Sequence, residues 1–230
     1  MKYDAYALKG RILPALFSII LPIMIFNHFY ISEELSKFIG EVFGAELIAN
    51  LTISGICLYY LSEAGRVLGK NIFENNYFKN ESHMPTTNYL MHSDNSYSEQ
   101  YKKMIREKIN TDFGITLPTI SDEVNNNEIS RTRIVETMAL VRKKLHHNKF
   151  LLQHNIEYGA MRNAIGGSVL GIIFSFVNIA FFNFYVLVDL ATKISIATLF
   201  VYLIFIIFSK YIMNFYANNY AKILFREYMA

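Results

Sequence analysis

Eight cations recur at spacings suited to gathering a phosphate. Lys102, Lys103 and Arg106 fall close together, and Arg131, Arg133, Arg142, Lys143 and Lys144 follow along a second periodic stretch, with His146 and His147 beside them. Ammonium and guanidinium groups hold phosphate oxygens by charge-assisted hydrogen bonds, and nearby Tyr or His rings offer stacking surfaces for a base. Two plainer readings stand beside this one: a solvated charged face near an anionic lipid leaflet, and an interface for a protein partner.

Two further rows would handle helix contacts, water or ions in an apolar setting. Glu46, Asn50, Ser54 and Cys57 recur at i, i+4, i+8 and i+11, as do Gly167, Gly171, Ser175 and Asn178, so each row lies on one helix face. Gly167 and Gly171 suit a close helix crossing, whereas Ser175 and Asn178 suit either that contact or a hydrated path. Glu46 either snorkels to the membrane edge or faces a pore mouth, where a ring of carboxylates would attract cations. Cys57 reads as a small soft residue at a helix contact.

Covalent chemistry has no candidate residues. The chain has no phosphate-cradling Gly-rich loop with lysine, no His-Glu-x-x-His and no serine elbow. His83, His92, His146, His147 and His154 lack zinc-ligand spacing, and Asp122-Glu123 reads as first-turn helix charge. Neither a catalytic residue nor a metal or cofactor is expected, so an enzyme is the weaker class.

The elements that must position these residues are set by four apolar stretches, about 12–31, 47–61, 164–188 and 194–209. Each is close to the length a helix needs to cross a hydrocarbon core about 30 Å thick. Of 22 basic residues, 20 would lie on one side of a membrane crossed four times: Lys2, Lys9 and Arg11 at the start, 14 in the middle and three after the last span. Only Lys37 and Lys193 would lie opposite. Lys and Arg are retained in the cytoplasm, so both termini and the centre are expected to be cytosolic, in a bacterial inner membrane. The expected class is an all-α membrane protein with four transmembrane helices in two hairpins. The first hairpin occupies 1–65 (spans near 12–31 and 45–65), and a cytosolic helical domain 66–163. The second hairpin occupies 164–230 (spans near 164–188 and 194–215) and ends in a cytosolic tail.

Composition fits this division, with 53% hydrophobic residues, 19 Phe and 16 Tyr. The single cysteine excludes a disulfide framework. The net charge of +3 is too small by itself to argue for nucleic acid. Pro22 should kink the first span, and 189–193 reads as a short hairpin connection.

Within 66–163 the signals are helical. Ser98 caps a helix with Tyr101, Ile105 and Ile109 on one face; Gly114 and Pro118 then break the chain. A second helix, starting near Ser121 or Glu128, carries Ile134, Met138, Val141 and Leu145 at helical spacing. The stretch 75–96 is rich in Asn, Ser and Tyr and reads as a polar connection with turn chemistry.

Paired spans flanking a cytosolic helical insert resemble the small membrane effectors of bacterial anti-phage defence systems. Pro85-Thr86-Thr87-Asn88-Tyr89-Leu90, Phe113-Gly114-Ile115 and the run Asn155 to Asn163 entering the third span carry the resemblance. It covers about a third of the chain and is one of architecture. Among such effectors the layout looks like the channel-like effector of Hailong systems, and that likeness implies an operon-encoded nucleotidyltransferase partner whose oligonucleotide product controls the channel. No functional residue is transferred by it. The expected activity is a homo-oligomeric channel or pore, a tetramer being one arrangement, gated by a nucleotide or oligonucleotide; its opening depolarises the membrane in abortive infection. The competing class is a non-conducting anchor or scaffold that presents the cytosolic domain to a partner protein.

Overall fold

The computed structural model describes residues 8–31 and 59–230, and all regular structure among them is helical. In chain order the helices are α1 (Leu13–Phe26), α2 (59–68), α3 (Asn75–Phe78), α4 (Pro85–Asn88), α5 (Glu99–Phe113), α6 (Ile120–Asn125), α7 (Asn127–Lys144), α8 (Lys149–Phe181), α9 (Asp189–Ile207) and α10 (Ser209–Met229). Two helical stretches, Lys149–Val186 and Asp189–Ile207, are long and apolar enough to cross a membrane, and Ile20–Tyr30 is a shorter apolar one. Most of the expected second span lies outside the described residues, together with Glu46, Asn50, Ser54 and Cys57.

The chain divides into two units. The first takes Met1–Phe73 and Gly159–Lys210, the second Glu74–Tyr158 and Tyr211–Ala230.

In the first unit, α1 is flanked by π-helical turns at Leu8–Ile12 and Asn27–Ile31. Pro14 stands in its first turn, where a missing N–H costs nothing, and Pro22 stands inside it. Two buried amides of α8 hold this helix: Asn163 Nδ2 donates to the Gly10 carbonyl at 2.6 Å and Asn178 Nδ2 to the Pro22 carbonyl at 2.8 Å. Residue numbers rise together along the two contacts, so α1 and α8 run parallel. With α2 and the turn Gly69–Glu74 that follows it the order reverses, Gly65 meeting Gly167 and Gly69 meeting Arg162, so that helix runs antiparallel to α8. The backbones touch here. A Cβ on Gly166 would lie 2.1 Å from the Gly65 carbonyl oxygen, and one on Gly69 would lie 2.4 Å from the Arg162 oxygen.

The connection from α8 to α9 falls earlier than the expected 189–193, at 182–188. Phe182–Val186 forms a π-helical turn, Leu187 turns the chain in the left-handed region at φ 59°, and Val188 donates its N–H to the Phe182 carbonyl at 3.0 Å. Asp189 and Lys193 already belong to the first turn of α9 and pair at 2.6 Å. Ile25, Phe182 and Ala191 form a buried knot at this end, flanked by Phe26, Phe29 and Phe181. The span expected near 194–215 is also interrupted, because the helix breaks at Phe208 and α10 starts at Ser209.

The second unit is built around Leu90, Met91, Ile105, Ile109, Ile134, Met138 and Val141, joined by Ala221, Leu224, Phe225 and Tyr228 of α10. The periodicities anticipated for α5 and α7 are those that point inward. Ser98 Oγ accepts the Tyr101 N–H at 3.3 Å, and Gly114 ends α5 at φ 68°. The second expected helix resolves into α6 and α7. Thr119 and Asp122 form a capping box at the start of α6, and extended Asn126 parts the two and caps α7. The stretch 75–96 is not simply a polar connection. It contains α3 and α4, and within it 84–87 and 89–91 are buried.

Candidate functional site

A coil that enters a core without a ladder of its own leaves carbonyls needing donors, since a buried backbone group without a partner costs about 1–3 kcal/mol. Lysine and arginine side chains supply them here. Lys102 is fully buried, its Nζ donating to the carbonyls of Met91 (2.9 Å) and Asp94 and to the Glu99 carboxylate (2.9 Å). One turn on, Arg106 donates to the carbonyls of Pro118 (2.6 Å) and Leu90, and lies 3.6 Å from the buried Glu123 carboxylate. Arg131 reaches the Ser82 carbonyl at 2.9 Å and the Asn88 side-chain oxygen at 2.7 Å; Arg142 reaches Glu81 at 2.9 Å. Lys144 pairs with Asp112 at 2.7 Å. Lys103, Arg133 and Lys143 are exposed, Lys103 standing 3.9 Å from Glu107. The eight cations are therefore not one patch: four of them fasten 81–94 to α5 and α7, and three face solvent.

Acidic residues complete the arrangement: Glu123, read in the sequence as first-turn helix charge, and Asp112 and Glu99, for which no partner was anticipated. Glu123 accepts the His92 N–H at 2.8 and 3.0 Å through its two oxygens. Asp112 accepts from Tyr228 at 2.8 Å as well as from Lys144, and these two hydrogen bonds hold its carboxyl below the usual range. The hydrogen bond from Lys102 does the same for Glu99. Burial lowers the Arg106 guanidinium, against the pull of Glu123. Its Nε is buried with no hydrogen-bond partner among the described residues.

Two cavities flank Arg106. One, of about 580 Å³, is lined by His92, Lys103, Arg106, Asn110 and Thr116 among others; the second, of about 710 Å³, shares His92, Arg106 and Leu117 and adds Ile120 and Val124. Cationic, hydroxyl and apolar groups thus meet at one place on the second unit.

The glycine, serine and asparagine row of α8 is spent on helix contacts. Gly167 lies against Gly65. Ser175 returns its hydroxyl to the Gly171 carbonyl at 2.7 Å, and Ser168 and Ser195 likewise bond four residues back at 2.8 Å, the usual way a hydroxyl is satisfied in apolar surroundings. Asn178 is taken by Pro22. Beside that bond is a 330 Å³ crevice lined by Pro22, Phe26, Phe174 and Val177. The Gly65-x-x-x-Gly69 spacing was the available sequence signal for the tightest crossing. No known protein family, curated protein or solved structure matches the chain.

Proposed function

We propose that the chain is a homo-oligomeric membrane channel or pore-forming effector, gated through its second unit by an anionic ligand of the nucleotide or oligonucleotide class. The observation that carries the membrane part is the pair of apolar helices α8 and α9, whose outward residues Ile173, Phe176, Phe200 and Ile204 are exposed, large and apolar. Such surface suits lipid or another subunit. α1 runs parallel to α8 and α2 antiparallel to it, the directions that four successive crossings would require. Lys103, Arg133 and Lys143 are exposed on the second unit and Arg142 is partly so, and these cations are within reach of a ligand.

With Ser175 and Asn178 bonded within the chain, we favour the Glu46 and Asn50 row over theirs as the conduction path of an oligomer. The architectural resemblance implies an anti-phage defence setting, and the distribution of Lys and Arg argues for an inner membrane with both termini cytosolic. Ion flux from liposomes containing the purified protein tests the reading, and Glu46→Gln should lower cation flux several-fold. Absence of flux with and without oligonucleotide would favour the second reading, an anchor presenting the second unit to a partner protein. Exposed Ile120 and Val124 favour that alternative.

A further inference from the structure

We propose that Arg142 is an exchangeable anion contact, from which a phosphate group displaces Glu81 and so releases a left-handed turn. The inference rests on the reading of the second unit as anion-responsive, and it names the site and the change that follows binding.

Lys79, Asn80 and Glu81 have φ of 43°, 53° and 73°. Three successive non-glycine residues in this region bring each Cβ against its own backbone, and such a run persists only where its surroundings impose it. The ties are identifiable. Lys79 O accepts from Ser82 N at 3.2 Å and from Ser82 Oγ at 2.9 Å; Glu81 O accepts from Thr87 Oγ1 at 3.0 Å. Arg131 holds the Ser82 carbonyl, and the Glu81 carboxylate is held by Arg142.

That last tie is the replaceable one. The side chains of Arg142 and Glu81 are 28% and 40% exposed and meet through one carboxylate oxygen at 2.9 Å. A solvent-screened pair of this kind is weak, whereas a phosphate offers a guanidinium two parallel charge-assisted bonds. Two further cations stand at the turn, Lys79 within it and Arg131 on the Ser82 carbonyl at 2.9 Å, with Glu128 the opposing charge near His83. Tyr220 of α10 lies within electrostatic reach of both Arg142 and Glu81.

The test uses the full chain in detergent micelles with inorganic pyrophosphate as the probe, reading binding by calorimetry and amide exchange by mass spectrometry. Pyrophosphate should speed exchange in 79–84 several-fold. Glu81→Gln should show the faster exchange without the probe and bind pyrophosphate about tenfold more tightly. Asn80→Gly, which removes a Cβ from the strained turn, should slow exchange and weaken binding. Arg142→Gln should lose the response while keeping its helical circular dichroism. Pyrophosphate binding that leaves 79–84 unchanged, or equal affinity in wild type and Glu81→Gln, overturns this proposal alone and leaves the ligand-gated reading standing. Absence of binding in both proteins also overturns it, and oligonucleotide-dependent flux then decides the broader reading separately.

Discussion

Lys102 exposes no side-chain surface and ends among three acceptors. Its neighbour Lys103 is solvated. The sequence gives the two identical standing, because charge is legible in a sequence whereas a carbonyl that lacks a ladder partner is not. Removing the buried one uncovers two backbone acceptors, at roughly 1–3 kcal/mol each. Lys102→Met should therefore lower unfolding free energy by about 3 kcal/mol, while Lys103→Met should stay within about 0.5 kcal/mol of the parent; denaturant titration by circular dichroism separates them. His83 makes a pH prediction of the same local kind. Burial first, then Arg131 and Lys79, lower its pKa, and Glu128 opposes them. Between the folded value and the unfolded value of about 6.5 the unfolded chain binds more protons, so stability is full above that upper value and declines as pH falls below it. The melting temperature should drop between pH 7.5 and 5.5, and His83→Gln should flatten that part of the profile.

At the scale of elements, what could be read was periodicity. The inward faces of α5 and α7, the Ser98 cap and the Gly114 stop followed from spacing and turn chemistry, and so did the apolar character of α8 and α9. Contacts between elements were less legible. The row Gly167, Gly171, Ser175 and Asn178 pointed to a crossing, but it divides between two, Gly167 lying against Gly65 and Asn178 bonding Pro22 of α1, and the residue most confined is Gly166, outside the row. A Cβ there meets backbone atoms of Gly65 and Gly69, at 2.1 to 2.7 Å, and backbone cannot rotate away as a side chain can. At Gly65 the nearest atoms stand at 3.3 Å, so a small shift suffices. Gly166→Ala should thus separate the helices and lower the melting temperature in detergent by several degrees. Gly65→Ala should cost markedly less. Equal melting temperatures for the three proteins would show that this crossing is not close.

At the scale of the whole chain, sequence order misleads about the C-terminal segment. Read linearly, 211–230 follows an apolar helix and looks like a charged tail, since nothing in the sequence states that its residues find partners from 79 to 129 positions earlier. In the structure Tyr228 donates to Asp112 at 2.8 Å, Tyr89 donates to Asn218 at 2.8 Å, and Asn148 donates to Glu227 at 2.8 Å. Ala221, Leu224 and Phe225 are buried with Ile105 and Ile134. Two phenylalanines on α10 turn this difference into a measurement. Phe225 is fully buried in that core, whereas Phe215, ten residues earlier on the same helix, is exposed. A dispensable tail would tolerate either truncation. A core element would not: Phe→Ala at a buried site costs about 3–5 kcal/mol through lost transfer energy and the cavity left behind. Phe225→Ala should accordingly expose the second unit to protease at temperatures where the parent resists, and Phe215→Ala should cleave as the parent does. If both variants resist equally, 211–230 is a tail after all and the core of the second unit closes without it.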